Sequence, residues 1–164
     1  MYKLVLYGLI VISLTSILFG FLGIINFSGA ELIFSLLIVT LVCFITNYLI
    51  SKIFKIPTNT ESAFITALII FLIFSPTSSL FDLTALVLAG AIAMISKYIF
   101  TINKKHIFNP AALAALILGI SQLGTPLWWV GSEVLTPIVL LIGLLVVRKI
   151  RKFTLFFSFF IICV

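Results

Sequence analysis

The chain contains 164 residues, of which 63% are hydrophobic and only 9% are charged. Soluble domains are about 45–50% apolar and about 25% charged, so this composition is typical of a membrane protein. It excludes a soluble enzyme, a secreted disulfide scaffold and a nucleic-acid-binding module. The net charge of +6 is explained by membrane topology before an acidic partner is needed.

Apolar runs, taken in chain order, predict an all-α, polytopic membrane helical bundle of about six transmembrane or half-helices. A helix needs about 20 apolar residues to cross the hydrocarbon layer, and several runs approach or meet that length. The six runs cover residues 4–27, 32–54, 62–74, 80–102, 109–121 and 131–147. A seventh run, residues 153–164, is too short to cross. We therefore expect residues 1–164 to form a single integral membrane domain, the N-terminal part of a longer protein.

The charges predict the orientation of these runs. With six alternating crossings and a cytoplasmic N-terminus, all ten Lys and Arg residues collect on the inner side. Basic residues near span ends resist translocation, so this bias predicts a multi-pass protein of the cell (inner) membrane. The outer side then holds three of the four acids, Glu31, Asp82 and Glu133. Trp128 and Trp129 are expected in the outer aromatic belt.

Two of the runs, residues 62–74 and 109–121, are short for a straight crossing, because about 13 residues of helix rise only about 20 Å. Each is either a half-helix of the kind that builds transport sites or a capped short span completed by its loop. A Thr58/Glu61 capping box is expected to begin the first helix. Asn109, followed by Pro110 at the first helical position, is expected to begin the second.

Small residues at helical spacing predict two seams of close helix packing. The seams consist of Ala85, Ala89 and Ala93, and of Ala111, Ala115 and Gly119.

Asn109 is also expected to matter more for stability than Asn47, since Asn47 lies near the inner interface, where it can find water.

Polar residues inside or beside apolar runs are the candidates for function. Glu61, when it is not capping a helix, is a candidate for ion handling because an acid near an apolar run is costly. Lys104, Lys105 and His106 precede the helix start at Asn109, where backbone N–H groups and basic side chains can hold a phosphate. The alternative is a basic interfacial loop. His106 is the only histidine, which excludes a multi-histidine metal site within this chain.

Two segments resemble a known family. Residues 61–68 read E-S-A-F-I-T-A-L and run to Ser75-Pro76, and residues 96–98 read S-K-Y ahead of H-I-F-N-P-A-A at 106–112. In order and separation they are similar to the acid-S-A-x-x-T-[AG]-L…P and K-x…F-N-P-A segments of the NqrB/RnfD membrane subunits. These subunits belong to sodium-translocating NADH:quinone reductase and to the Rnf electron-transport complex. The likeness covers roughly residues 57–125.

The resemblance implies a membrane subunit of an ion-motive electron-transfer complex, in which NADH or ferredoxin oxidation drives cation movement through partner subunits. It implies a fold of about ten helices in two inverted repeats, similar to that of urea channels. It also implies a flavin, FMN or riboflavin, which the family esterifies through phosphate to the threonine of an S-G-A-T motif.

The expected attachment site departs from the family pattern. Thr136 keeps the following Pro137, but Glu133, Val134 and Leu135 replace the small residues that precede the family's threonine. A carboxylate three positions away repels a flavin phosphate. We therefore expect a flavin bound non-covalently, its phosphate held by Lys104, Lys105, His106 and the helix start at Asn109.

Two other functions stay open. The chain can be a small-solute channel or transporter of the same architecture, with Glu61, Thr66 and Asn109 lining the path. It can also be a membrane anchor for a soluble reductase domain that follows Val164.

We predict that the N-terminus and residues 104–109 face the cytoplasm, because this topology places every basic residue on the cytoplasmic side. Single cysteines at positions 103 and 133, in a Cys43→Ser/Cys163→Ser background, test it with a membrane-impermeant thiol reagent on intact cells. Position 133 is expected to react at once and position 103 only after permeabilisation. Labelling of position 103 from outside intact cells would overturn the topology.

Overall fold

The computed structural model describes residues 2–76, 79–102, 105–151, 153–154, 157–158 and 161. This part of the chain contains six α-helices: α1 (Tyr2–Phe21), α2 (Gly29–Phe54), α3 (Thr60–Ile73), α4 (Leu80–Ile99), α5 (Pro110–Ile120) and α6 (Thr136–Ile150). A two-residue antiparallel pair joins β1 (Thr101–Ile102) to β2 (Lys105–His106), and Trp129–Gly131 forms a 3-10 turn. The predicted all-α bundle is confirmed. The seventh apolar run lies largely outside the described residues.

Three of the helices are long and apolar enough to cross a membrane, namely Lys3–Phe21, Gly29–Phe54 and Leu80–Ile99. Large apolar side chains are exposed along α1 and α2, and α6 buries none of its residues. Soluble proteins rarely expose apolar surface on this scale, so these faces suit contact with lipid. Helices α3 and α5 are shorter, as their apolar runs predict.

Side-chain caps define the starts of α2 and α5. Asn109 accepts a hydrogen bond from the backbone N–H of Ala111 at 3.1 Å, and Pro110 occupies the first helical turn, as predicted. At the start of α2, Ser28 and Glu31 form a reciprocal capping box. Both devices provide partners for backbone N–H groups that a helix cannot satisfy internally.

The capping box expected for α3 is wrong. Asn59, not Thr58, is the N-cap, and its side chain accepts from the backbone N–H of Ser62 at 3.0 Å. Asn is a stronger N-cap than Thr, so the helix starts one residue later than the Thr58 box requires. Glu61 is left exposed in the first turn, where its charge favours the positive end of the helix dipole.

Helix α3 occupies the centre of the bundle. It packs against α1, α2, α4, α5 and the Trp129–Gly131 turn. Its buried residues point in several directions because it has neighbours on several sides, and they are Ala63, Thr66, Ala67, Leu68, Ile70, Phe71 and Leu72. The shortness of α3 therefore affects the packing of most of the described helices.

One of the two predicted seams is confirmed and the other is displaced. Ala85, Ala89 and Ala93 are all buried on α4. On the same helix, a Cβ added to Gly90 would lie 3.1 Å from Val42 Cγ1, so α2 and α4 approach closely there. On α5, Ala111 is buried as predicted, but Ala114 and Leu118 follow it in place of Ala115 and Gly119. The packing face of a helix recurs every three or four residues, and on α5 the first interval, from Ala111 to Ala114, is three residues.

The expectation that Asn47 reaches water is wrong. Asn47 is only 4% exposed, and its Oδ1 accepts a hydrogen bond from Tyr98 Oη at 2.8 Å. Asn47 shares a buried stripe of α2 with Cys43 and Ser51, so it faces protein. This hydrogen bond joins α2 to α4.

We predict that Asn47→Leu destabilises the chain at least as much as Asn109→Leu, which should remove about 1 kcal/mol of capping energy. The reason is that Asn47→Leu removes the closer acceptor of the Tyr98 hydroxyl and leaves only the backbone carbonyl oxygen of residue 47, at 3.4 Å, at a cost of about 1–3 kcal/mol. Thermal unfolding in detergent of Asn47→Leu, Tyr98→Phe and the double variant measures the coupling. Additive effects of the two substitutions would show that the hydrogen bond contributes nothing.

Candidate functional site

Buried polar groups gather where the first turn of α3 meets the last turn of α4. Lys97 is 8% exposed, and its Nζ donates to the carbonyl oxygen of Ser62 at 2.8 Å and to Ser62 Oγ at 3.1 Å. Thr66 Oγ1 donates to the same carbonyl at 2.9 Å. We call Ser62, Thr66 and Lys97 the polar junction.

The polar junction holds a charge without a compensating acid. Within the described part of the chain, Lys97 forms no ion pair, and its ammonium donates to the two oxygens of Ser62. An ammonium group has three N–H donors. Burying an ammonium group in an apolar bundle is costly unless it is paired with an opposite charge. An ionisable side chain kept at such a position in a membrane protein indicates function by default.

Sequence reasoning counted Lys97 among the inner basic residues and within the second family-like segment, and did not single it out as a site residue. A usable signal was present, because Lys97 continues the four-residue stripe of Ala85, Ala89 and Ala93. A stripe that packs against other helices carries its next member to the same buried face. Ser62 entered only as a letter of the family segment, and nothing in its spacing predicts the contact with Lys97.

The two residues predicted for an ion path differ in exposure. Glu61 is exposed at the start of α3, whereas Thr66 is buried one turn further on and belongs to the polar junction. Thr66 donates its hydroxyl hydrogen to its own helix, so its oxygen lone pairs are the groups left to serve a ligand.

The predicted phosphate site is described only in part. Lys104 lies outside the described residues, and for Lys105 and His106 only the backbone, in β2, is described. Asn109 is exposed, and its side chain caps α5. The helix start is therefore in place, and binding of a phosphate there stays a prediction.

Thr136 begins α6 and donates its hydroxyl to the carbonyl oxygen of Ser132 at 2.7 Å. It borders an open cleft of about 340 Å³. The other lining residues are apolar, and they are Trp128, Gly131, Val139, Leu140, Gly143 and Leu144. A flat aromatic ring suits this lining, but the lining offers no cation for a phosphate.

Asn109 and Thr136 lie at opposite ends of the bundle. The N-terminal end of α5 follows the end of α4 that carries Lys97, near the start of α3. The N-terminal end of α6 follows the turn in which Trp129 contacts Phe27, with ring centroids 5.5 Å apart. The predicted cofactor-binding residues therefore do not form one site.

The chain segments that follow α3 and α5 pair with each other. Phe74 and Pro126 form an isolated antiparallel bridge, and the N–H of Leu127 donates to the carbonyl oxygen of Ile73 at 2.8 Å. The C-terminal ends of the two short helices are thus joined by backbone hydrogen bonding. Membrane proteins that contain discontinuous helices place ligand sites at such interruptions.

The expectation of an outer aromatic belt is wrong for Trp129 and stays a prediction for Trp128. Trp128 is 51% exposed, whereas Trp129 is 7% exposed and its indole N–H donates to the carbonyl oxygen of Phe71 at 2.9 Å. The rings of Trp129 and Phe71 also meet edge to face, with centroids 5.6 Å apart. Trp129 therefore fixes the end of α3 because a buried indole needs an acceptor.

No family model, curated protein or solved structure matches this chain. Across the residues that the structure describes, no group of three or more His, Cys, Asp and Glu side chains is placed to hold a metal ion.

We predict that Ser62→Ala lowers the free energy of unfolding by about 1.5–3 kcal/mol, because it removes one acceptor of a buried ammonium. In a Lys97→Met background the same substitution should cost less than about 0.5 kcal/mol, since the ammonium is gone. Denaturant titration of the purified protein measures both values.

Ser16→Ala is the matched control for Ser62→Ala. Ser16 is also a buried helical serine, but among the described residues its hydroxyl donates to the carbonyl oxygen of Ile12 in its own helix and not to another helix. Its cost should be the same with Lys97 or Met at position 97. Equal costs of Ser62→Ala in the two backgrounds would show that the polar junction contributes no coupling energy.

Proposed function

We propose that this chain is a membrane subunit of an ion-motive electron-transfer complex, in which flavin-dependent electron transport is coupled to cation translocation. The observation that carries the proposal is the contact between Lys97 and Ser62. Ser62 belongs to the first segment that resembles the NqrB/RnfD subunits, and Lys97 opens the second. The two segments behind the resemblance thus meet in space, which supports a shared role.

The polar junction has an electrostatic property that suits this function. A buried ammonium lowers the energy of an electron or anion nearby and raises the energy of a nearby cation, and low-dielectric surroundings enlarge both effects. Lys97 therefore favours an electron on a group close to it, and an electron held there in turn lowers the energy of a nearby cation. Coupling between electron and cation movement requires a dependence of this kind.

The two ends of the bundle suit different parts of a flavin. A flavin supplies hydride and one-electron chemistry when it is bound. The cleft beside Thr136 fits the ring but not the phosphate, because its lining carries no basic side chain. The helix start at Asn109, preceded in sequence by Lys104, Lys105 and His106, fits a phosphate. We propose non-covalent binding there.

We also propose that the chain crosses the cell (inner) membrane several times with its N-terminus in the cytoplasm. The structure places the last turns of α2 and α6, which carry Lys52, Arg148 and Lys149, at the same end as the start of α1. This basic end is the cytoplasmic end under the positive-inside rule. Partner subunits of the complex then supply and accept the electrons.

A small-solute channel or transporter is the second candidate. The joined ends of α3 and α5 favour it, since discontinuous helices line the sites of many transporters. Thr66 would then contact the solute. Uptake of a small polar solute into proteoliposomes that is lost in Thr66→Val, without any bound flavin, would select this function over electron transfer.

Absorbance of the purified full-length protein tests the proposed function. We expect the spectrum of a flavin, which is released when the protein is denatured. Lys104→Gln/Lys105→Gln should reduce the bound flavin several-fold by removing two cations from the phosphate site. Arg148→Gln/Lys149→Gln, an equal loss of charge elsewhere at the same end, serves as the control. A colourless protein that releases no flavin would refute the proposal.

We predict that denaturing gel electrophoresis under ultraviolet light shows no fluorescent band. The physical reason is that Glu133 and the bulky Val134 and Leu135 disfavour attachment of a flavin phosphate at Thr136. A fluorescent band that disappears in Thr136→Ala would show that the flavin is covalently attached there, contrary to this prediction.

A further inference from the structure

We propose that the cleft between the first turn of α1 and the last turn of α6 binds the headgroup of an anionic phospholipid. This open cleft has a volume of about 600 Å³. Its lining combines two apolar side chains with three basic ones, Leu4, Leu145, Arg148, Lys149 and Arg151. It is separate from the polar junction and from the cleft beside Thr136.

The charge of the cleft selects the headgroup. Three basic side chains fall within four residues, and the lining contains no carboxylate. Glu31, Asp82 and Glu133 lie in the first turns of α2 and α4 or just before α6, at the opposite end of the bundle. The fourth acid, Glu61, lies in the first turn of α3, at the same end as the cleft, but does not line it. The positive charge of the cleft is therefore unopposed locally, and arginine and lysine together bind phosphate oxygens well.

The apolar part of the cleft selects a lipid over a free anion. Leu4 and Leu145 are exposed, and α6 packs against the core only through partly buried residues such as Ile138 and Ile142, so the Leu145 wall suits contact with lipid. The basic residues follow in the last turn of α6, at the level where a helix leaves the hydrocarbon layer. A phospholipid matches this order, with an acyl chain against the leucines and a phosphate against the basic residues. Basic pockets between membrane helices bind acidic headgroups in this way.

Two other basic residues at the same end, Lys52 and Lys55, lack this arrangement. Lys52 places its ammonium 4.5 Å from the centre of the Tyr48 ring, and neither Lys52 nor Lys55 lines the cleft. These two lysines share the positive-inside charge without the apolar wall. Substitution of these two lysines is therefore the control that distinguishes binding at the cleft from a general attraction of positive charge to an anionic membrane.

Native mass spectrometry of the full chain in detergent tests the proposal with phosphatidylglycerol and phosphatidylcholine of identical acyl chains. We expect the wild type to prefer phosphatidylglycerol by about tenfold, as expected for a basic site. Arg148→Gln/Lys149→Gln/Arg151→Gln should abolish the preference. Lys52→Gln/Lys55→Gln should retain it.

Leu145→Trp provides a second variant that alters the apolar wall and leaves every charge in place. It should weaken phosphatidylglycerol binding. Inorganic phosphate should displace the lipid from neither the wild type nor this variant. Displacement of the lipid by millimolar inorganic phosphate would identify a free-anion site and refute a lipid site. The proposal also fails if the wild type shows no headgroup preference or if the Lys52/Lys55 variant loses the preference equally.

Discussion

The bundle depends on hydrogen-bond donors for the backbone carbonyl groups at the C-terminal end of α3, a short helix at its centre. Helix α3 ends at Ile73, among other helices, and the carbonyl groups of its last turn need donors that an apolar environment does not supply. The N–H groups of Phe74 and Leu127 and the indole of Trp129 provide donors for Ile70, Ile73 and Phe71, respectively. Two of these donors come from the segment after α5, so the two short helices become one structural unit.

The other end of α3 is fixed by a different interaction. Lys97 reaches from α4 to both oxygens of Ser62, and the side chain of Asn59 caps the helix. Helix α3 is therefore held at both ends by groups from outside it, which makes it a rigid platform for Thr66. The charge that holds its first turn is also the charge on which the proposed coupling rests. In this account, stability and function share one contact.

Local features of the fold could be predicted from the sequence, and long-range contacts could not. Apolar runs located the helices, and Asn109-Pro110 located the start of α5, because both signals act within a few residues. The start of α3 was predicted one residue too early, at Thr58, because the neighbouring Asn59 is also a residue type that caps helices. Asn47 and Trp129 were placed at interfaces by residue type alone. Their actual partners, Tyr98 and Phe71, lie 51 and 58 residues away in sequence.

Disulfide trapping tests the central claim, that the segments after α3 and α5 are paired. Antiparallel bridge partners have Cα atoms about 4.5–5.5 Å apart, which suits a disulfide. In a Cys43→Ser/Cys163→Ser background, Phe74→Cys/Pro126→Cys should therefore cross-link within one chain under mild oxidation. Phe54→Cys/Pro126→Cys, which joins opposite ends of the bundle, should not. A Phe74/Pro126 pair that stays reduced while both cysteines react freely with thiol reagents would contradict the pairing and the arrangement of α3 and α5 built on it.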